Sequence, residues 1–254
     1  MKALIAFAKA ELRARADAEK ARAMQAYMKT AMPFYGVQAA PRRRIVREAQ
    51  RRFPIRTRCD YEAAVTGLWA LPHREEKYAA IELAALWAEF VGQESLGLYE
   101  RMIREGAWWD FVDEVAAHLV GGALAKSPDD VWPVVDRWID DPDMWIRRSA
   151  LVCQLTLKAR TDATRLFDYC LRRAGEREFF IRKAIGWALR QYSYVAPGDV
   201  KRFLATHGRE LSPLSCREAA RVLRKKEGRL VTPSERKVAK NAKIAKKKEK
   251  KRET

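Results

Sequence analysis

The chain has 254 residues, of which 48% are hydrophobic, so it is long enough to bury a large core as one domain or as an array of repeats. It carries 51 lysine and arginine residues against 33 acidic residues, and the resulting net charge of +18 favours a polyanionic partner, most simply nucleic acid. No run of about 18 apolar residues occurs, which excludes a membrane-spanning helix.

The positive charge is concentrated at the C-terminal end. The stretch from Arg224 to Thr254 has fourteen basic and four acidic residues, yet the preceding 223 residues still carry a net charge of +8. We therefore divide the chain into residues 1–225, a helical-repeat domain that is basic by itself, and residues 226–254, a basic tail expected to be flexible and to add non-specific affinity for DNA.

Cysteine and histidine are sparse and are not spaced as metal ligands. None of Cys59, Cys153, Cys170 and Cys216 forms a C-x-x-C pair, and the three histidines fit no zinc pattern. We therefore expect structural cysteines, no metal and no cofactor. The cysteine usage and the absence of a signal peptide indicate an intracellular protein, cytoplasmic and associated with the nucleoid.

Helical periodicity, interrupted by proline and glycine, runs through the chain, whereas strand signals are nearly absent. An amphipathic N-terminal helix is predicted from Ala3 to Thr30, and it would cap one end of the helical stack. Five further helices of about 10 to 15 residues are predicted at Tyr61–Leu71, Ser95–Glu105, Asp129–Asp140, Asp162–Ala174 and Asp199–His207.

Between these helices the sequence repeats every 35 residues. The segment W-I-R-R-S-A-L at Trp145 aligns with F-I-R-K-A-I-G at Phe180, and the same step reaches segments that begin at Glu75, Asp110 and Ser215. The shared apolar positions are Ala80, Val115, Ala150, Ile185 and Ala220. The repeat predicts an all-α superhelical solenoid of antiparallel helix pairs, although a plain helical bundle also gives weak self-similarity by chance.

Equivalent positions of the five repeats should form a row along one concave face. This row consists of Tyr78, Asp113, Arg148, Lys183 and Glu218. Trp109 lies one helical turn before Asp113, and Trp187 lies one turn after Lys183, so both tryptophans extend the same face. The register therefore predicts a basic concave groove that holds two tryptophans and a carboxylate.

Most charges near this groove suit the phosphates of DNA. The basic residues are Arg43, Arg44, Arg147, Arg148, Arg182, Lys183 and Arg190. Phosphate contacts position a duplex without reading its sequence, and tryptophan rings can stack on a base or a sugar. Asp113, by contrast, repels phosphate, but it would stabilise a sugar that becomes oxocarbenium-like when its N-glycosidic bond breaks.

Simpler interpretations of the same residues remain open. Trp109 can be an ordinary core or rim aromatic side chain, and Tyr27 can be ordinary packing. Asp113 can be a structural ion-pair partner of Arg148.

The sequence resembles the AlkD family of DNA alkylpurine glycosylases, which are built from HEAT-like repeats, from about Tyr27 to Leu223. The matching segments are Y-M-K…M-P-F-Y-G-V-Q-A-A-P-R-R-R from Tyr27, E-E-K-Y-A-A-I-E-L from Glu75, W-W-D-F-V-D from Trp108, W-I-R-R-S-A-L from Trp145 and F-I-R-K-A-I-G-W-A-L-R from Phe180. The resemblance implies release of N3- and N7-alkylated purines from duplex DNA, with Asp113 as the catalytic carboxylate. We expect the protein to be a monomer.

The resemblance also implies roles for other residues. Trp109 and Trp187 would contact the backbone and sugar of the lesion nucleotide, and Arg148 would help to hold the DNA. Tyr27 and Gln38 match family positions at the DNA-binding cleft. The resemblance further implies action without extruding the lesion from the duplex, which fits an open groove and tolerates bulky adducts.

Two other functions remain as alternatives. Some relatives lack the aspartate and bind DNA without excising bases, so a non-catalytic module for branched or damaged DNA is the second hypothesis. A scaffold that binds peptides on its concave face is the third. The presence of Asp113, both tryptophans and Arg148 favours the catalytic branch.

Overall fold

The computed structural model describes residues 1–223; the predicted tail, residues 226–254, lies outside the described residues. No strand occurs in residues 1–223, and none of the helices there is long and apolar enough to cross a membrane. The α-helices are α1 (Lys2–Ala14), α2 (Ala18–Met28), α3 (Ala39–Arg52), α4 (Arg58–Trp69), α5 (Arg74–Leu86), α6 (Leu96–Gly106), α7 (Trp109–Glu114), α8 (Gly121–Lys126), α9 (Pro128–Trp138), α10 (Met144–Val152), α11 (Ala163–Arg172), α12 (Phe179–Tyr192), α13 (Pro197–His207) and α14 (Pro213–Ala219).

The helices pack in two layers that follow the 35-residue repeat. In the layer that we call the site layer, α3, α5, α7, α10, α12 and α14 each contact the next helix of the series. Helices α4, α6, α9, α11 and α13 pack behind them, and their bounds lie within three residues of the predicted ones. This arrangement confirms the predicted all-α, solenoid-like repeat fold.

Four of the five predicted apolar repeat positions belong to the core. Ala80, Val115, Ala150 and Ile185 are all buried. The fifth prediction is displaced by one residue, because α14 is short and ends at Ala219, which is buried, whereas Ala220 is half-buried at the helix terminus.

The predicted N-terminal helix is two helices. The break lies between α1 and α2, where Asp17 accepts hydrogen bonds at 3.1 Å from the backbone amides of Glu19 and Lys20 and so caps α2. The backbone amide of Asp17 donates to the carbonyl of Tyr35 at 2.8 Å instead of continuing α1. No proline or glycine marks the break in R-A-R-A-D-A-E-K, residues 13–20, which is why the sequence pattern did not reveal it.

A buried carboxylate ties the segment after α2 to the site layer. Glu75, at the start of α5, is fully buried and accepts hydrogen bonds from the backbone amides of Tyr35 (3.0 Å), Gly36 (2.8 Å) and Val37 (3.0 Å). Three amide donors compensate the charge that burial would otherwise make costly. The N-terminal segment is therefore fixed against α5.

Helix α7 continues through a π-helical segment, Val115–Val120, into α8. Within this segment the carbonyl of Ala117 accepts a hydrogen bond from the hydroxyl of Thr156 at 2.9 Å. Directly after it, the backbone of Gly121 approaches α10 so closely that a Cβ atom would lie 2.4 Å from the carbonyl oxygen of Cys153. The wider π turn therefore lies where the continuous helix formed by α7, the π segment and α8 makes its tight contact with the end of α10.

Candidate active site

The two adjacent tryptophans of α7 face different environments. Ala107 ends α6 in the left-handed region (φ 38°), and Trp108 caps the start of α7. The ring of Trp108 packs against Trp145 and Phe180, with ring centroids 6.1 and 5.7 Å away. Trp108 is thus a packing residue, whereas Trp109 lines a cavity on the site layer.

This cavity, of about 390 Å³, lies between α7, α10, α12 and α14. Its lining consists of Trp109, Asp113, Arg148, Phe179, Phe180, Lys183, Trp187, Arg190 and Glu218. Phe179 is half-exposed, so the cavity opens to the surface. Six of the ten site residues predicted from the sequence therefore come together here, drawn from three repeats.

Asp113 and Arg148 form a bidentate ion pair at the base of the cavity. Nε of Arg148 donates to Oδ1 of Asp113 at 2.7 Å, and Nη2 donates to Oδ2 at 2.8 Å. The remaining nitrogen, Nη1, donates to the backbone carbonyl of Phe180 at 2.5 Å. The side chains of Arg148 and Asp113 are only 5% and 12% exposed, so the carboxylate is held in one orientation and largely shielded from water.

Burial sets the protonation behaviour of this carboxyl. Desolvation raises the pKa of Asp113 above its ordinary value of 3.8, and the hydrogen bonds and charge of Arg148 oppose that rise. The negative charges of Asp110 and Glu114 on the same helix also raise the pKa of Asp113. The site thus contains an anion that is more basic than an ordinary surface aspartate.

A second ion pair positions α7 from the other side. Arg74 of α5, which is 2% exposed, donates to Asp110 from Nη2 at 2.6 Å and from Nε at 3.1 Å. The hydroxyl of Tyr78 donates to the same carboxylate, and the guanidinium of Arg74 lies 4.2 Å from the ring centroid of Phe111. This six-residue helix is therefore held by one arginine from each neighbouring helix of the layer.

The cations on the other wall of the cavity are paired with Glu218. Nζ of Lys183 donates to Oε1 of Glu218 at 2.9 Å, and Nη1 of Arg190 donates to Oε2. The hydrogen bond from Lys183 lowers the pKa of Glu218 below its ordinary value, so this carboxylate is ionised at neutral pH. The cavity consequently holds two carboxylates and three cations.

The four other predicted residues lie outside this cavity, on the N-terminal helices. Tyr27 is 75% exposed and borders a smaller apolar hollow that reaches Tyr78, a member of the predicted row. Gln38 is exposed at the start of α3. Arg43 and Arg44 are exposed on α3, and Arg43 lies 3.4 Å from a carboxylate oxygen of Glu82.

Three lining residues were not among the predicted site residues. Phe179 and Phe180 start α12 and form an aromatic wall, which neither spacing nor charge distinguishes from core packing. Glu218 occupies the fifth position of the predicted row, so the register did indicate its location. Its acidic character gave no reason to include it in a phosphate-binding face.

Comparison with known proteins identifies the family. A family model of DNA alkylation repair enzymes matches residues 8–223. The solved structure of a predicted DNA alkylation repair enzyme from Enterococcus faecalis matches with a TM-score of 0.75 and 29% identity, over 81% of this chain and 95% of that one. None of the curated proteins matches the sequence. Because the family match spans most of the chain, the protein belongs to the family of DNA alkylation repair enzymes.

Proposed function

We propose that this protein is a DNA glycosylase that hydrolyses the N-glycosidic bond of N3- and N7-alkylated purines in duplex DNA and leaves an abasic site. The observation that carries the proposal is the carboxylate of Asp113, which is buried in an aromatic-lined cavity and held by both arms of the Arg148 guanidinium. Membership of a DNA alkylation repair family supports it.

The chemistry follows from the charge of the lesion. A purine alkylated at N3 or N7 is a cation, so it leaves as a neutral base and needs no general acid. Positive charge then develops on the sugar, where an anion at the site of Asp113 stabilises it. Water adds its oxygen to C1′ of the sugar, and its proton passes to the Asp113 carboxylate, whose raised pKa favours that transfer.

The surroundings of Asp113 suit a nucleotide within a duplex. Trp109 and Trp187 offer ring faces to the sugar and backbone of the lesion nucleotide, while Tyr27, Gln38 and the exposed arginines of α3 contact the DNA further along the site layer. Because the cavity opens to the surface, the enzyme acts on the lesion without drawing it into a closed pocket. Bulky adducts are then accepted alongside methyl groups.

A second function is favoured by the ion pair itself. Both oxygens of Asp113 accept hydrogen bonds from Arg148, an arrangement that also serves purely to join α7 to α10. In that case the protein is a non-catalytic module that binds branched or damaged DNA. Release of free base distinguishes the two functions.

The test is base release from duplex DNA that contains 7-methylguanine or 3-methyladenine. We expect Asp113→Asn to keep DNA binding and to lose about 100-fold or more of the release rate, since one preorganised stabilising group is removed. Asp136→Asn is the control, because Asp136 also pairs with an arginine, Arg165, but lies on α9, behind the site layer. Wild-type release no faster than the spontaneous rate, or full activity of Asp113→Asn, contradicts the proposal.

A further inference from the structure

The acid opposite Asp113 is unexpected in a cavity that meets DNA. Glu218 is the residue at issue, and its side chain is only 16% exposed. Its carboxylate accepts one hydrogen bond each from Lys183 and Arg190, the two cations of that wall which a phosphate would otherwise engage. An anion here competes with the DNA backbone for the same two partners.

The close packing of α12 against α14 fixes the position of Glu218. At Gly186 the backbone of α12 approaches α14 so closely that a Cβ atom would lie 2.5 Å from Cβ of Glu218 and 2.8 Å from the carbonyl oxygen of Ser215. The hydroxyl of Ser215 donates to the carbonyl of Arg182 at 2.9 Å. This close crossing places the Glu218 carboxylate between Lys183, one turn before Gly186, and Arg190, one turn after it.

We infer that Glu218 is a specificity-determining residue, which occupies Lys183 and Arg190 so that intact DNA is held weakly and a cationic base is favoured. The inference rests on the proposed glycosylase function. In the absence of a lesion, DNA phosphates must compete with the carboxylate for the two cations. A positively charged purine in the cavity adds an attraction that undamaged DNA lacks, because two carboxylates then face it.

The experiment measures binding of Glu218→Gln to undamaged duplex DNA as a function of salt. Freeing two cations should raise the affinity and steepen the slope of log K against log salt by up to about 1.8, at roughly 0.9 per phosphate contact. Preference for DNA that contains 7-methylguanine over undamaged DNA should fall. Glu176→Gln is the matched control: Glu176 also pairs with two arginines and its side chain is 17% exposed, but it does not line the cavity.

A second variant tests the inference without changing Glu218. In the wild type Lys183 is already engaged, so Lys183→Gln should change the salt slope by much less than about 0.9. The inference is overturned if Lys183→Gln lowers the salt slope by the full value of about 0.9 for one phosphate contact. It is also overturned if a folded Glu218→Gln binds undamaged DNA as the wild type does. Neither result bears on base release by the wild type, so failure of this inference is distinct from failure of the proposed function.

Discussion

At the scale of single residues, the environment of Asp113 determines which reaction the cavity can support. Burial makes the carboxyl a better proton acceptor, while Arg148 keeps it ionised and oriented. An exposed aspartate would lack both properties. The same bidentate ion pair also fits the structural interpretation of Asp113, because it joins α7 to α10.

The raised pKa of Asp113 predicts the acid side of the pH–rate profile. Only the ionised carboxylate stabilises the sugar cation, so base release should fall as pH decreases through the pKa of Asp113. Because burial raises that pKa, the fall should begin at a higher pH than for an ordinary aspartate, whose pKa is 3.8. The measurement is single-turnover release of a permanently cationic purine, corrected for spontaneous loss. A profile that stays flat down to about pH 4 contradicts this prediction.

At the scale of the helices, the site depends on how α7 is held between its neighbours. Arg74 pairs with Asp110 from α5, and Arg148 pairs with Asp113 from α10. The π-helical segment that follows lets the same long helix continue past the end of α10. Gly121 lies at that crossing, so an added methyl group there should disturb the packing of the two helices.

We predict that Gly121→Ala lowers the free energy of unfolding by about 1–3 kcal/mol, because the added methyl group has no space beside the carbonyl of Cys153. Equilibrium denaturation measures this change. Gly97→Ala in α6 is the control, since nothing lies within 4 Å of the added Cβ there, and it should be neutral or slightly stabilising. Equal stability of the two variants would show that the crossing relaxes without cost.

The sequence predicted the helices and the register of the site layer, but it did not predict the π-helical segment or the exposure of Phe179. The 35-residue period placed Asp113 and Arg148 on adjacent helices, and the structure joins them in an ion pair. The π-helical segment could not be predicted, because V-A-A-H-L-V also suits an α-helix. The π turn accompanies contacts with Cys153 and Thr156, which lie more than thirty residues later in the sequence. Phe179 could not be distinguished from core packing for a related reason: its exposure depends on where α12 lies.

At the scale of the whole molecule, charge determines how the protein meets DNA. Residues 1–223 carry a net charge of +8. Within the cavity, Glu218 and Asp113 offset much of the local positive charge, whereas Arg43 and Arg44 on α3 are exposed. Affinity for the DNA backbone is therefore expected from exposed arginines outside the cavity more than from the cavity itself.

Deletion of residues 228–254 tests the contribution of the basic end of the chain. We expect weaker binding of duplex DNA and a shallower dependence on salt, because eleven basic residues are removed with only three acidic ones. Base release at low salt should persist, since every cavity residue is retained. The measurements are salt-dependent binding and single-turnover release; an unchanged salt slope contradicts a DNA-binding role for these residues.

The buried carboxylate of Glu75 limits how the protein can be shortened. Its charge is compensated by three amides that belong to a segment almost forty residues earlier, Tyr35 to Val37, so this segment cannot be removed. Cutting the chain after that segment would leave an uncompensated anion inside the site layer, next to Arg74, which holds α7. A minimal catalytic fragment therefore has to begin before Tyr35, although every cavity residue follows position 108.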